Sequence, residues 1–572
     1  MTQCVERSFD SQQPNVIILL SDDQGWGDFS LHGNRNLETP NIDQLAREGA
    51  RFENFYVAPV CSPTRAEMLT GRYHFRGGIS GTSAGAERLD LDERTLADIF
   101  RQAGYATAAY GKWHNGMQSP YHPNSRGFDD FYGFCSGHWG EYFDPMLEHN
   151  GALVKGNGYV TNDFTDHGLT FIEQHKHQPF LLYLPFNTPH RPMQVPDRWW
   201  NKFQEKEILM RSAVEDEDLD YTRAALAMCE NIDWNVGRIL DKLRELDIEE
   251  NTIVLYFNDN GPNAWRWNDG MKGKKGSTDE GGVRSPLFIK WPLKIKGEKR
   301  IKHVSAAIDL LPTLCELAGV APSSDKPLDG KSLAPLLFGE QPTWSDRYIF
   351  NQWNGNISVR NQTYRMDAAG RLYNIEKDRG QVTDLSRKMP EIKRAFDEAL
   401  QLYTEEVKRE LPGEDLRPFP IGDPAVKYTQ LPARDAKSQG YIERSSQFPN
   451  CSYFTNWTSL QDQITWNVEV LQPGMFEVTL YYTCPTVDTG SIVELSLGES
   501  RLRSRIDIAH DPSLQGMEHD RVPRGNSYVK DWKSMVLGKF KLEEGPGQLV
   551  FRALEVPGGS VMDFRLLMFE RI

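Results

Sequence analysis

A chain of 572 residues, 39% hydrophobic and 25% charged, is long enough for two or three domains and too apolar for intrinsic disorder. Its formal net charge of -15 excludes the broad basic face that holds nucleic acid or anionic lipid. No apolar run is long enough to span a bilayer, and seven cysteines without a CxxC pair exclude a disulfide scaffold.

In chain order, residues 1–14 lack the apolar centre of a signal peptide, which leaves an intracellular protein or one whose signal has been removed; the second gives a periplasmic or secreted setting as the expectation. Residues 15–21 read NVIILLS, a buried parallel strand that stops at the acidic loop Asp22-Asp23-Gln24-Gly25. The same pattern returns at 180–186 before Asn187-Thr188-Pro189-His190, and at 252–257 before Asn258-Asp259-Asn260-Gly261. Helical patterns at 39–49, 95–104 and 224–246 alternate with these strands, which predicts an open α/β sheet over 14–345. Ligands gather at the carboxyl ends of strands in such sheets, so the three polar loops should meet in one crevice.

Beyond Trp344 the pieces shorten: strands at 347–350, 357–360 and 363–367 and an amphipathic helix from 390 to about 408 predict a small α+β subdomain over 346–410. Residues 411–435 hold five prolines and no periodicity and read as an extended linker. From 436 to 572, apolar and polar positions alternate at 464–471, 475–482, 491–497 and 548–554, the pattern of a β-sandwich. Cys451 and Cys484 fall in this part and can pair only in an oxidising compartment.

The strongest local signal is Cys61-Ser62-Pro63-Thr64-Arg65 followed by Thr70-Gly71-Arg72. The segment PVCSPTRAEMLTGR resembles the signature of the type I sulfatases of the alkaline phosphatase superfamily, in which a maturation enzyme oxidises the cysteine to formylglycine (3-oxoalanine). A thiolate attacking sulfur would have to expel its product through an S–S bond, whereas an aldehyde hydrate offers one hydroxyl to attack and a second to break the adduct. The resemblance covers roughly residues 14–400 and implies a large central mixed sheet flanked by helices.

Asp22, Asp23, Asp259 and Asn260 match the family's metal-binding DD and DN pairs. They supply only oxygen and, with the modified Cys61, make a hard-cation site for which calcium fits best. Gly111-Lys112-Trp113-His114-Asn115-Gly116 resembles the family's GKWHxG loop, with Asn115 where leucine is common. The resemblance implies that Lys112 polarises the hydrate and sulfate oxygens and that His114 takes the proton that lets the adduct collapse. His190 matches the histidine that protonates the leaving alcohol. The segment Gly273-Lys274-Lys275-Gly276-Ser277-Thr278 with Glu280-Gly281-Gly282-Val283-Arg284 places the sulfate-binding lysine at Lys275, with Lys274 as the alternative. Arg65 completes the cations around one anion.

Trp265, Arg266 and Trp267 are candidates for the pocket mouth, as are His138, Trp139, Glu141 and Arg191: aromatic rings stack on sugars and Arg266 can hold a second sulfate. This rim, and a β-sandwich that resembles carbohydrate-binding modules in broad character, predict a sulfated polysaccharide or oligosaccharide as substrate. Two rival readings are a formylglycine-dependent phosphonate monoester or phosphodiester hydrolase and an inactive sulfatase-like protein that binds glycans through residues 436–572.

Overall fold

The computed structural model describes residues 13–209, 211, 217–339, 344–410 and 415–572. Residues 1–12 of the segment read for a signal, Cys4 among them, and residues 411–414 of the expected linker lie outside the described residues.

Short runs of branched apolar residues build the main sheet. Among the described residues it has eleven strands: β1 (Asn15–Ser21), β2 (Ala50–Tyr56), β3 (Ala106–Lys112), β4 (Asp130–Phe134), β5 (Met146–His149), β6 (Ala152–Lys155), β7 (Phe180–Pro185), β8 (Thr252–Asn258), β9 (Arg284–Lys290), β10 (Lys299–Ile301) and β11 (Ser305–Ala306). Their order is β10-β2-β9-β8-β1-β7-β3-β4-β5-β6, with β11 also on β2. β8, β1, β7, β3 and β4 run parallel, while β9 reverses between β2 and β8. The sheet is therefore mixed, as the resemblance implied.

β1 is covered on both faces, and its residues divide by the two-residue period of a strand. Ile17 and Leu19 enter one apolar core; Val16, Ile18 and Leu20 enter the other. The first core is roofed by α1 (Pro40–Glu48), α4 (Val160–His175), α5 (Asp197–Phe203) and α6 (Leu219–Glu245), the second by α2 (Cys61–Thr70) and α3 (Leu96–Gln102). α3 starts at a capping box in which the Thr95 hydroxyl accepts from Asp98 N–H and the Asp98 carboxylate accepts from Thr95 N–H.

Four antiparallel strands, β12 (Ile349–Trp353), β13 (Asn356–Arg360), β14 (Tyr364–Met366) and β15 (Leu372–Asn374), make a second sheet. The helix Pro390–Lys408 packs Phe396 against Val359, Met366 and Leu372 of that sheet. Among the described residues two six-stranded sheets follow, one centred on Gln463–Val470 and Gly545–Glu555, the other on Asp563–Arg571 and Gly474–Thr483. Their inner faces share one core, with Trp457 and Trp466 fully buried in it. Cys451 and Cys484 are separate buried thiols.

The linker reading is corrected from residue 419 onward. Phe419–Ile421 pairs in parallel with Gln463–Val470, and Tyr428–Pro432 pairs along Asp563–Arg571. The prolines misled: Pro420 and Pro432 sit in short outer strands, where a missing N–H costs little. These residues belong to the sandwich.

Candidate active site

The carboxyl ends of β1, β8, β7 and β3 lie side by side, and their loops are tied to one another. Asp22 N–H donates to the Thr188 carbonyl and Asp259 N–H to the Ser21 carbonyl, both at 3.0 Å. Cys61 is the first residue of α2, all ten residues of which are buried. The Thr64 hydroxyl donates to the Asp259 carbonyl at 2.6 Å and accepts from Ala58 N–H at 2.9 Å. Arg65 donates to the Asp259 carboxylate at 2.9 Å and to the Lys112 carbonyl at 2.6 Å. The Cys-x-Pro-x-Arg spacing thus uses one helical turn to present residue 61 while Thr64 and Arg65 fasten that turn to two strand ends. A buried helix N-terminus also favours an anion in front of it.

The donor atoms around residue 61 fit a cation. Asp22 Oδ1, Asp23 Oδ2 and Asn260 Oδ1 are buried and accept no hydrogen bond, and buried polar atoms are rarely left so. Ligand atoms of Asp22, Cys61 and Asp259 lie within 4.8 Å of one another, as do those of Asp22, Asp23 and His190. Burial, together with the charge of Asp22, pushes the Asp259 carboxyl well above its ordinary value; a divalent cation among these oxygens would reverse that shift. An all-oxygen set drawn from carboxylates and an amide suits calcium chemistry. Asp23 sits at φ 65°, a left-handed conformation that is uncommon outside glycine and that Asp and Asn adopt most readily among the rest.

Cations face the same floor. Lys112 Nζ lies 2.5 Å from Asp22 and Lys275 Nζ 2.6 Å from Asp23. Burial alone would lower the Lys275 pKa, but Asp23, Cys61 and Asp22 outweigh it and raise it. Lys274, the alternative by sequence, lies instead over the Trp265 ring at 5.1 Å. His114, at φ 66°, points Nε2 at the Thr82 carbonyl (2.9 Å) and leaves Nδ1 without a partner. Burial, then the Lys112 charge, lowers its pKa well below the ordinary value, so the ring is neutral. His190 stacks near His138 with centroids 5.9 Å apart, and its Nε2 lies 3.7 Å from Asp23.

Cys61, His114, His138, His190, Arg191 and Lys275 line one cavity of about 450 Å³. Arg65 and Lys112, fully buried, lie beneath it. Asn115 is also buried, with its amide donating to the Ser62 carbonyl at 3.2 Å, so it packs under α2.

The aromatic rim read from sequence is corrected. Arg266 is 2% exposed, meets Asp28 through Nε at 2.8 and 2.9 Å and donates to the Asp23 carbonyl at 2.9 Å; its charge is already used in holding the loop that carries Asp22 and Asp23. Trp265 stands against the Arg211 and Lys274 cations at 4.7 and 5.1 Å, and the Trp267 backbone presses on Gly27, where a Cβ would come 2.3 Å from the Trp267 carbonyl oxygen. None of these three residues lines the cavity. Glu141 is likewise engaged, accepting from Tyr142 and Phe143 N–H at 3.0 and 2.9 Å.

Several residues escaped the sequence reading. Asn187, just past the end of β7, has both amide atoms buried without partners. Glu280, part of a motif read for its lysine, is a buried hub that accepts from Tyr56 at 2.6 Å, Arg284 at 3.0 Å and Arg365 at 3.3 Å, tying the main sheet to β14. The cavity wall also includes Trp353, Phe448, Pro449, Asn450 and Asn526, residues that no local pattern marks.

Known proteins resemble the chain in sequence and in fold. A family model described as Sulfatase matches residues 14–320, and one described as N-sulphoglucosamine sulphohydrolase, C-terminal, matches residues 270–412. N-acetylgalactosamine-6-sulfatase of Homo sapiens is 33% identical over 374 residues, covering 59% of this chain and 68% of that protein. The solved structure of Ps i-CgsB in complex with k-i-k-neocarrahexaose is similar at 29% identity and TM-score 0.62, over 68% of this chain and 93% of that one. The phosphonate monoester hydrolase of Agrobacterium radiobacter shares the fold at 21% identity and TM-score 0.54, over 69% and 96% of the two chains.

Proposed function

The chain belongs to the sulfatase family, and from that premise we propose that it hydrolyses sulfate esters carried on carbohydrates, in the cavity above Cys61, with calcium and a formylglycine at position 61. The observation that carries this reading is the meeting, at the first residue of a buried helix, of unpartnered oxygens from Asp22, Asp23 and Asn260 with the ammonium groups of Lys112 and Lys275.

Oxidation of the Cys61 side chain to an aldehyde by a maturation enzyme, followed by addition of water, would supply a geminal diol, one hydroxyl to attack sulfur and the other to release the sulfate. Calcium on Asp22, Asp23, Asp259, Asn260 and the residue-61 oxygen would supply positive charge beside the nucleophile. The chain's own groups do the rest. Lys112 and Lys275 bring fixed positive charge to a dry floor, where it acts on the sulfate oxygens more strongly than it would in water. His114 keeps its hydrogen on Nε2, held by the Thr82 carbonyl, so its unpartnered Nδ1 accepts the proton as the adduct breaks down. His190 directs Nδ1 at the Arg191 carbonyl, 2.7 Å away, which leaves Nε2 for the leaving oxygen. Burial holds the His190 pKa below its ordinary value, and the negative charge of a bound sulfate ester acts against that shift, towards the protonated ring that a departing alcohol needs.

The carbohydrate assignment is supported by the N-acetylgalactosamine-6-sulfatase and the neocarrahexaose complex among the relatives. No helix of the described residues is long and apolar enough to cross a membrane; a polymeric substrate and a maturation enzyme acting on Cys61 fit a periplasmic or secreted protein. Release of inorganic sulfate from a panel of sulfated mono- and oligosaccharides tests the proposal, run beside 4-nitrophenyl sulfate, a matched phosphodiester and a matched phosphonate. Sulfate release by the wild type and none by Cys61→Ala is the expected result. Faster turnover of the phosphonate than of any sulfate would overturn it.

A further inference from the structure

The β-sandwich reaches into the catalytic cavity. Phe448, Pro449, Asn450 and Asn526 line it together with Cys61 and Lys275, from sequence positions about four hundred and two hundred residues away. Their placement is built in. Arg434, buried, forms an ion pair with Glu87 and donates to the Ser136 hydroxyl at 2.9 Å and to Asn450 Oδ1 at 3.1 Å. Ser136 in turn donates to the Asn450 carbonyl at 2.7 Å. Asn450 Nδ2 lies 3.4 Å from the Thr82 carbonyl, the same oxygen that orients His114. Gly137 is where the two parts meet: a Cβ there would stand 2.5 Å from Asn450 Nδ2 and 2.6 Å from His114 Nε2.

Asn526 is the telling residue. It is 5% exposed and lines the cavity; its Oδ1 has no hydrogen-bond partner, and its amide faces the Cys451 thiol. In the same cavity wall His138 Nε2 and Arg191 Nε are buried and unpartnered too. Unsatisfied amide atoms in a closed wall are costly unless something binds to them, and a sugar carries hydroxyls that both donate and accept. Phe448, 40% exposed, offers an apolar ring at the mouth, suited to the C–H face of a sugar.

Resting on the function proposed above, we infer that the sandwich is the specificity wall of the active site: Asn526 hydrogen-bonds the ring that bears the sulfate, and Phe448 stacks on the saccharide at the entrance. The sandwich is then not a detached glycan anchor; it helps to decide which sulfated saccharide is hydrolysed.

The test uses the full chain and two variants, Asn526→Ala and Phe448→Ala. For each, kcat/KM is measured on the sulfated saccharide that the wild type turns over best and on 4-nitrophenyl sulfate, whose leaving group carries no hydroxyls. Phe448 is exposed and the Asn526 amide faces the Cys451 thiol, so the thermal midpoint of each variant is measured beside its kinetics and the ratio is read on folded protein. The ratio of the two kcat/KM values is expected to fall about tenfold or more in each, through KM for the saccharide. A ratio unchanged in both variants, whether the two rates fall together or not at all, overturns the inference. A wild type active on 4-nitrophenyl sulfate but on no saccharide also overturns it while leaving sulfate-ester hydrolysis standing. A wild type inactive on every sulfate ester contradicts the proposed function itself.

Discussion

Arg266 looks from its sequence neighbours like a substrate residue, and its surroundings give it another task. Buried against Asp28 and bonded to the Asp23 carbonyl, it braces the loop that carries two proposed metal ligands. Arg266→Met leaves Asp28 as an uncompensated buried charge, and denaturant unfolding should register a loss of about 3–5 kcal/mol. A variant as stable as the wild type would return Arg266 to the pool of substrate contacts. The oxygens of Asp22, Asp23 and Asn260 lead to a second residue-scale prediction. Calcium added to chelator-treated protein should stabilise it by about 2.7 kcal/mol at a hundredfold excess over its dissociation constant, seen as a rise in thermal midpoint that Asp259→Ala abolishes. No shift with calcium would count against the site. The catalytic candidates were legible in the sequence because each sits in a short motif whose spacing is a chemical requirement. The aromatic rim was misread because adjacency in sequence says nothing about which side of a loop faces the cavity.

At the scale of elements, buried strands ending in acidic loops were readable from apolar runs alone, since a strand covered on both faces needs no polar position until it leaves the sheet. Helix α6 begins at Leu219, earlier than its periodicity suggested, because the Asp218 side chain caps it by accepting from Tyr221 N–H at 3.0 Å. The same helix is clamped to the first turn of α1: the Asp233 carboxyl accepts from Ile42 N–H at 2.8 Å and from Asn41 Nδ2 at 2.7 Å. Burial is the largest influence on that carboxyl and raises its pKa from 3.8 to about 6. Below about pH 4 the group is protonated in folded and unfolded chains alike; between about pH 4 and pH 6 only the unfolded chain has released the proton, so stability is lost as pH rises through that window. The loss amounts to about 3 kcal/mol. Urea unfolding of wild type and Asp233→Ala should show the wild type's advantage shrinking between pH 4 and pH 6; an advantage that grows with pH would contradict this assignment. The strands Phe419–Ile421 and Tyr428–Pro432 were not legible because their pairing partners lie far along the chain and their prolines imitate a linker.

Over the whole molecule, the sandwich and the catalytic domain are joined by buried charge as well as by apolar contact. Glu87 is fully buried, and although burial would raise its pKa, the Arg434 guanidinium holds it below the ordinary carboxylate value. Arg434→Met strands that carboxylate next to the proposed proton acceptor. It should cost about 3–5 kcal/mol in stability and lower kcat on every sulfate ester, as read by unfolding and by steady-state kinetics; an unimpaired variant would mean the sandwich is docked by other contacts. This long-range coupling had no sequence signature, since Glu87 and Arg434 are ordinary charged residues until the fold brings them together. The claim on which the rest depends is that Cys61 becomes the nucleophile, and the mass of the peptide carrying Cys61, measured in samples of known sulfatase activity, tests it most directly. Activity should rise in proportion to the fraction of that peptide lighter than the thiol form by about 18 Da, the difference between thiol and aldehyde. Full sulfate-ester hydrolysis by protein whose peptide keeps the thiol mass would contradict it.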